Sequence, residues 1–265
     1  MFFYSNIKKI LSDIIHTYDS KLRPAVGSTF QELYESFSSY RVLSLSICSD
    51  GISIFNSSNS SAWPILALVN ELPSHAQFHN IFLMGIYYGS AKPKFELYFK
   101  HISTILKNLS SEGIMHAGNK YVIVPINVVA DSVARCQLQN IKQFNGNFGC
   151  SWSKHQVTRV PKGNGFTQVY DFADIRLIAR THDGILADAQ IAISINQPFQ
   201  GVKGVCPLSD FPFFNLVDGF SVDLMHCIDI GVMKLMLNLW LNPSILTEQI
   251  SLLIFRDFDL KLILR

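Results

Sequence analysis

The stretch KYVIVPINVVADSVARCQLQN, Lys120–Asn140, decides the fold of this chain. Tyr121–Ala130 is an almost continuous apolar run rich in β-branched residues, which is typical of a strand buried on both faces. Asp131 and Ser132 follow it and favour the start of a helix, because a short polar side chain can accept a hydrogen bond from the first turn. We therefore predict a buried strand with Asp131 at its C-terminal end, followed by a helix.

The stretch RVLSLSICSDGISIF, Arg41–Phe55, predicts a second buried strand upstream. Its apolar and β-branched residues are interrupted at Asp50-Gly51, a dipeptide that favours a tight turn, so we expect a β-hairpin there. Trp63–Pro73 predicts a third strand, which completes a meander. Lys94–Glu112 predicts a helix, because its apolar residues recur three and four positions apart.

Asp50 and Asp131 each follow a predicted buried strand. If the two strands are neighbours, both carboxylates lie at one edge of the sheet, where they could bind Mg²⁺ through oxygen ligands. Two such ions could contact the attacking and leaving oxygens of a phosphoryl transfer. The alternative is that Asp50 starts a turn, that Asp131 caps a helix, and that neither binds a metal.

The composition excludes a disordered chain, because 48% of the 265 residues are hydrophobic. Charged residues make up 16%, below the roughly 25% of typical domains. This shortage predicts apolar surface on the C-terminal helices that is either exposed or covered by another chain. The net charge of +2 provides no overall field for nucleic acid, so DNA binding would need a local basic patch.

Residues 132–170 provide such a patch, since they include basic residues and no acidic ones. Phe148 and Trp152 lie among them and could stack on a distorted base. The candidate phosphate contacts are Arg135, Lys142, Lys154, Arg159 and Lys162. An ordinary solvated surface is the alternative interpretation.

The five widely spaced cysteines favour a reducing, intracellular compartment over a disulfide framework. No apolar run reaches the ~20 residues needed to cross a bilayer, and no secretory signal is recognised. We expect a protein that is not secreted and has no membrane partner.

An ordered set of motifs spans roughly residues 40–241. The motifs are DG (Asp50–Gly51), WPILALVNELP (Trp63–Pro73), HNIFLMGIYYGSAKPKFELYFKHI (His79–Ile102), ADSVARCQLQN (Ala130–Asn140), QFNGNFGCSWSKH (Gln143–His155), GVKGVCPLSDFP (Gly201–Pro212) and VDLMHCIDIGVMKLMLNLW (Val222–Trp240). In this order they resemble the Tnp2-like transposases of CACTA-type DNA transposons, which are similar to other DDE/D transposases. The resemblance implies an α/β fold with a ribonuclease-H-like mixed sheet flanked by helices, and extra helical segments at both ends.

The resemblance also implies a domain organisation and a reaction. The apolar pattern of residues 1–39 predicts a helical lead-in; by the resemblance, residues 40–155 would be a portion of the catalytic core and residues 156–265 a mainly helical, truncated start of an insertion. The ancestral reaction would be cleavage and transfer of DNA strands, with Asp50 and Asp131 as the first two catalytic acids, holding two Mg²⁺ or Mn²⁺ ions. The implied partner is transposon-end DNA, a homo-oligomer is a further option, and the implied location is the nucleus.

The chain departs from the family pattern in two places. A Cys-x2-Cys pair follows the second acid in the family, whereas here Cys150 is followed by Ser153. Cys150 is therefore a degenerate zinc position, and we do not expect zinc, because a serine hydroxyl is a poor substitute for a thiolate. The third acid of the family has no match among the late acids, which are Asp223, Glu248, Asp257 and Asp259.

The incomplete set of acids predicts that this chain alone is inactive. Asp223 and His226, three residues apart in DLMHCIDIG, could form a pair near the active site, or they could form an ordinary hydrogen bond within a helix. Two other kinds of protein remain open. One is a transposase remnant retained for binding DNA or protein without catalysis, and the other is an unrelated interaction protein.

Overall fold

The computed structural model describes residues 1–54, 60–162, 164–170 and 178–241. The chain divides into two compact units, Met1–Ser221 and Val222–Arg265. The boundaries expected near residues 39 and 155 both lie inside the first unit. The late acids Glu248, Asp257 and Asp259 lie outside the described residues.

Strands and helices alternate along the first unit, and helices dominate the described part of the second. The strands are β1 (Phe2–Tyr4), β2 (Arg41–Ser49), β3 (Ile52–Ser53), β4 (Ser61–Val69), β5 (Phe82–Gly89), β6 (Ile114–His116), β7 (Asn119–Ala130), β8 (Val157–Lys162), β9 (Gly165–Tyr170) and β10 (Phe220–Val222). The α-helices are α1 (Ile7–Tyr18), α2 (Ser28–Ser36), α3 (Ser74–Gln77), α4 (Phe95–Ser111), α5 (Ser132–Leu138), α6 (His182–Ile195) and α7 (Lys234–Leu241). A π-helix, Met225–Met233, precedes α7.

The main sheet is open and mixed, with the strand order β1-β5-β4-β2-β7-β10. β2 pairs antiparallel with β4, and β4 pairs antiparallel with β5, so a meander is present, but its third strand is β5 and not the Trp63–Pro73 segment, which forms the middle strand. β7 then lies parallel to β2 on its other side. The α/β expectation is therefore confirmed at the level of a mixed sheet flanked by helices.

β7 is buried on both faces, as its apolar run predicts. Alternate residues such as Tyr121 and Ile123 join the larger core cluster, which includes residues of α1 and α4. The residues between them, Val122 and Val124, join a smaller cluster with Leu33 of α2. This alternation follows from the two-residue period of a strand, and helices therefore cover both faces of the sheet.

The pairing of β2 with β7 contains one irregular step. Leu45 pairs with Pro125, but the next residue, Ser46, pairs with Asn127, so Ile126 is an extra residue in β7. Proline has no N–H to donate to a ladder and is found in interior strands mainly at such bulges. Pro125 is therefore compatible with a central strand because the ladder is already interrupted there.

The hairpin expected at Asp50-Gly51 is wrong, because the chain continues in the same direction beyond this dipeptide. Ser49 of β2 pairs with Ile65 of β4, and Ile52 of β3 pairs with Ala62, so β3 extends β2 in the same antiparallel register. Gly51 is not among the glycines with positive φ. A Cβ at Gly51 would lie 2.6 Å from the ring of Trp63, so close packing, not a turn, accounts for the glycine.

Two features of the C-terminal half differ from the expected helices. Within the part expected to be mainly helical from residue 156, the first helix begins only at His182, where the Thr181 hydroxyl accepts a hydrogen bond from the Gly184 N–H. Residues 171–177 lie outside the described residues. β8 and β9 pair as a separate two-stranded hairpin. This hairpin lies in the part of the chain that was expected to be mainly helical.

A buried arginine joins the loop before β8 to the segment after α6. The side chain of Arg180 is 0% exposed, and its guanidinium donates hydrogen bonds to the carbonyls of Phe148, Cys150 and Gln200 at 2.8–2.9 Å. Asp188 lies 3.9 Å from the third guanidinium nitrogen. Burial lowers the pKa of Arg180, and the nearby charge of Asp188 raises it. This arginine therefore crosslinks segments distant in sequence.

A buried glutamate follows β4 at the opposite end of the sheet from Asp50 and Asp131. Glu71 is 3% exposed and accepts hydrogen bonds from the Ser44 N–H at 2.8 Å and from the Ser44 and Tyr34 hydroxyls at 2.7 Å. Burial raises the pKa of Glu71 to about 7, and these hydrogen bonds oppose that rise. Burial therefore favours the neutral form of Glu71 more strongly than water does.

The described part of the second unit exposes many apolar side chains, as the low charge of the chain predicts. They are Leu224, Met225, Ile228, Ile230, Val232, Met233, Leu235, Trp240 and Leu241. No helix among the described residues is long and apolar enough to span a membrane.

Candidate carboxylate site

The sheet brings Asp50 and Asp131 to the same edge. β2 and β7 are adjacent and parallel, and Cys48 pairs with Val129, two residues before each acid. The two acids therefore occupy equivalent positions where the strands end. Residues in equivalent positions on parallel strands project from the same face when the register continues.

Both carboxylates also have local structural contacts. Asp131 is the N-cap of α5, and its Oδ1 accepts a hydrogen bond from the Ala134 N–H at 2.6 Å. Asp50 Oδ1 accepts a hydrogen bond from the Gly51 N–H at 2.7 Å. The cap expected for Asp131 is therefore present. These hydrogen bonds fix the position of each carboxylate.

The chemistry of the pair fits a hard divalent cation, since Mg²⁺ and Mn²⁺ prefer carboxylate oxygens. No group of three or more His, Cys, Asp or Glu residues that could hold a metal ion is found in the part of the chain that the structure describes. Asp50 and Asp131 would therefore act as a set of two ligands, with water or substrate oxygens completing the coordination.

Asp223 and His226 form a pair within the second unit. His226 Nδ1 lies 2.8 Å from Asp223 Oδ2, and Asp223 Oδ1 accepts a hydrogen bond from the Met225 N–H at 2.9 Å. Partial burial raises the pKa of Asp223, but hydrogen bonds and charge from His226 outweigh it and lower the pKa. The two residues therefore contact each other as their spacing predicts; a role in a reaction stays a prediction.

Cys150 is a free, half-buried cysteine whose sulfur accepts a hydrogen bond from the Trp152 N–H at 3.4 Å. Ser153 pairs with Ala179 in an isolated β-bridge. The ring of His155 lies 5.3 Å from the ring of Tyr170. Each of the three residues therefore has a local contact within this part of the chain.

Two of the five candidate DNA contacts have internal partners. Arg135 is 7% exposed, and its guanidinium lies 4.4 Å from the centre of the Trp152 ring. The ammonium of Lys154 forms an ion pair at 2.8 Å with Asp188, which is buried. Both side chains therefore contribute to packing, and one face of Trp152 is covered.

The other three candidate DNA contacts differ from one another in exposure. Lys142 is half-buried and Arg159 is exposed, whereas the side chain of Lys162 lies outside the described residues. Arg159 lies over Phe166, with its guanidinium carbon 4.2 Å from the ring centre. Phe166 was not predicted as a contact; the available signal for it is an aromatic residue that follows Arg159 in the same segment without acidic residues.

Comparison with known proteins gives the chain no family. No protein-family model matches it, and no curated protein matches it.

Proposed function

We propose that this chain is part of a DDE/D-type transposase with a ribonuclease-H-like core. Asp50 and Asp131 are the first two metal-binding acids of an ancestral site for DNA strand cleavage and transfer. A divalent cation held there would activate the attacking oxygen and stabilise charge on the phosphate. The observation that carries the proposal is the parallel pairing of β2 with β7, because Asp50 and Asp131 each follow the last paired residue of their strand by two positions.

The strand order supports the same proposal. The resemblance implies a meander whose first strand carries the first acid, followed by a helix and a fourth strand that carries the second acid. β2, β4, β5, α4 and β7 occur in this order, and β7 lies beside β2. The alternative fold that separates the acids would require β2 and β7 to be apart in the sheet.

The chain alone is expected to bind metal weakly and to leave DNA uncut. Among the described residues no group of three possible ligands occurs, whereas the family that the chain resembles uses three acids. This observation favours a second candidate function, a remnant that binds DNA or protein without catalysis. Substituting Asp50 and Asp131 would leave the binding function of such a remnant unchanged.

Metal binding is the measurement that tests the proposal, since it does not require cleavage. We expect Mn²⁺ titrated into the full chain to bind, and Asp50→Asn or Asp131→Asn to weaken binding by about 10–100-fold or more, because even residues that only support metal ligands have effects of that size. Isothermal titration calorimetry measures both affinities.

The asparagine variants should remain folded, because asparagine accepts the same backbone hydrogen bonds and is as good an N-cap as aspartate. Asp13→Asn is the matched control, since Asp13 is an exposed acid on α1, and it should leave Mn²⁺ affinity unchanged. Equal Mn²⁺ affinity for the original chain and for the Asp50→Asn, Asp131→Asn double variant would reject the metal site. The two acids would then have turn and cap roles alone.

A further inference from the structure

A groove of about 750 Å³ lies beside the β8-β9 hairpin. Arg159 pairs with Gln168 across the hairpin, and Phe166 and Tyr170 lie two residues to either side of Gln168 on β9. Side chains two residues apart share a face of a hairpin, so these residues line one wall. Phe144 and Asn145 of the preceding loop also line this groove, which we call the hairpin groove.

The hairpin groove exposes aromatic rings that a folding core would bury. Phe144 is 46% exposed and Phe166 is 61% exposed. The Tyr170 hydroxyl donates a hydrogen bond to the Phe144 carbonyl at 2.7 Å, which ties the loop to the hairpin. Burial raises the pKa of Tyr170 to about 12, so this hydroxyl remains a donor at neutral pH. The loop that carries Phe144 is therefore held beside β9, the strand that carries Phe166.

The polar side chains of the groove suit a nucleic acid strand. Asn145 and Gln168 carry amides that can both donate to and accept from the edge of a base, and Arg159 can contact a phosphate. The lining includes no acidic residue, and residues 132–170 contain none. A polyanion would therefore meet a positive charge and no opposing carboxylate from this segment.

We propose that the hairpin groove binds unpaired bases of single-stranded DNA, which stack on Phe144 and Phe166 while Arg159 contacts the backbone. Aromatic rings with a nearby cation bind single strands with little sequence preference, because every base has a face that can stack. Bases within a duplex are already stacked and hydrogen-bonded, so the groove selects single strands. The choice of DNA over RNA rests on the proposed function; the choice of an unpaired base rests on the groove.

Fluorescence anisotropy of a labelled oligodeoxythymidine of about twelve nucleotides, with the full chain and EDTA, measures this binding. We expect Phe166→Ala to weaken affinity by roughly 5- to 150-fold, the effect of losing one stacked base. Phe166→Trp should retain affinity, because a larger ring still stacks. Phe78→Ala is the matched control, since Phe78 is 78% exposed on another part of the surface, and it should have no effect.

Arg159→Gln provides a second measurement. Loss of one phosphate contact should reduce the slope of log affinity against log salt concentration by about 0.7 for a single strand. A salt slope identical to that of the original chain would remove Arg159 from the proposal. Because Arg159 is exposed, this substitution should not disturb folding.

Three further probes separate the sources of affinity. An abasic oligodeoxynucleotide of equal length and the corresponding duplex should both bind more weakly than oligodeoxythymidine. Equal binding of the abasic strand, or no effect of Phe166→Ala, would overturn the proposal that the groove binds bases. Tighter binding of oligouridine than of oligodeoxythymidine would overturn the assignment to DNA.

The metal site and the hairpin groove can fail independently. The Asp50→Asn, Asp131→Asn double variant should bind oligodeoxythymidine as the original chain does in EDTA. Both proposals are supported if the double variant no longer binds Mn²⁺ and if Phe166→Ala weakens oligodeoxythymidine binding as much in the double variant as in the original chain. If Phe166→Ala has no effect while Mn²⁺ binding still depends on the acids, the groove alone is rejected.

Discussion

Replacing Arg180 with methionine should destabilise the first unit by about 3–5 kcal/mol, the usual cost of removing one partner from a buried charged cluster. Three carbonyl oxygens, of Phe148, Cys150 and Gln200, would lose their donor. The buried carboxylate of Asp188 would keep the ion pair with Lys154 but lose the charge of Arg180. For a unit of this size the melting temperature should fall by roughly 6–20 °C. Urea unfolding followed by circular dichroism measures the free energy directly.

Two variants make this experiment specific. Arg159→Met removes an exposed arginine and should change stability by less than ~0.5 kcal/mol. Arg180→Lys keeps the charge, but its compact ammonium cannot reach all the carbonyls that the separate nitrogens of the guanidinium reach, so its stability should lie between those of the original chain and Arg180→Met. A loss below ~1 kcal/mol for Arg180→Met would show that the three carbonyls find other donors, such as water, and would contradict the crosslinking role.

The stability of the first unit should decrease between pH 4.5 and about 7 because of Glu71. The pKa of this glutamate rises from 4.5 to about 7 on folding, so over this range the folded protein holds a proton that the unfolded chain releases. The contribution of Glu71 is therefore complete below pH 4.5 and is lost as the pH approaches 7. At 1.36 kcal/mol for each pH unit, the loss amounts to about 3 kcal/mol.

Comparison of urea unfolding at pH 5, 6, 7 and 8 in the original chain and in Glu71→Gln isolates this effect. An amide does not titrate, so the free energy of unfolding of the variant should not show the decrease with pH that Glu71 causes in the original chain. Glu32→Gln is the matched control, because Glu32 is exposed on α2, and it should keep the original pH dependence. Parallel pH profiles for the original chain and Glu71→Gln would contradict the raised pKa.

The elements that sequence predicted well are those whose own residues determine their burial. β7 and α4 have apolar patterns that suit a strand buried on both faces and a helix buried on one, and both form close to the expected bounds. The positions of Asp50 and Asp131 followed from the same reasoning, because a polar residue after a buried strand lies at the edge of a sheet.

Features that depend on distant neighbours could not be read from local pattern. Asp50-Gly51 has turn chemistry, but Gly51 accommodates the ring of Trp63 instead. The internal roles of Arg135 and Lys154 depend on Trp152 and Asp188, and Asp188 is 34 positions beyond Lys154 in the sequence. A count of charges within one segment cannot distinguish an exposed lysine from one whose partner lies on a later helix.

The extra residue in β7, Ile126, determines whether Asp50 and Asp131 follow β2 and β7 at equivalent positions or are offset by one residue. Before it, paired residues of β2 and β7 differ by 80 in number, as Arg41 and Tyr121 do; after it, they differ by 81, as Cys48 and Val129 do. Asp50 and Asp131 also differ by 81. Deletion of this one residue would shift Asp131 by one position and turn its side chain toward the other face of the sheet. Evolution of the carboxylate pair is therefore constrained by strand length: a relative that retains both acids should keep one more residue from the start of the pairing to the second acid, as from Tyr121 to Asp131, than to the first, as from Arg41 to Asp50.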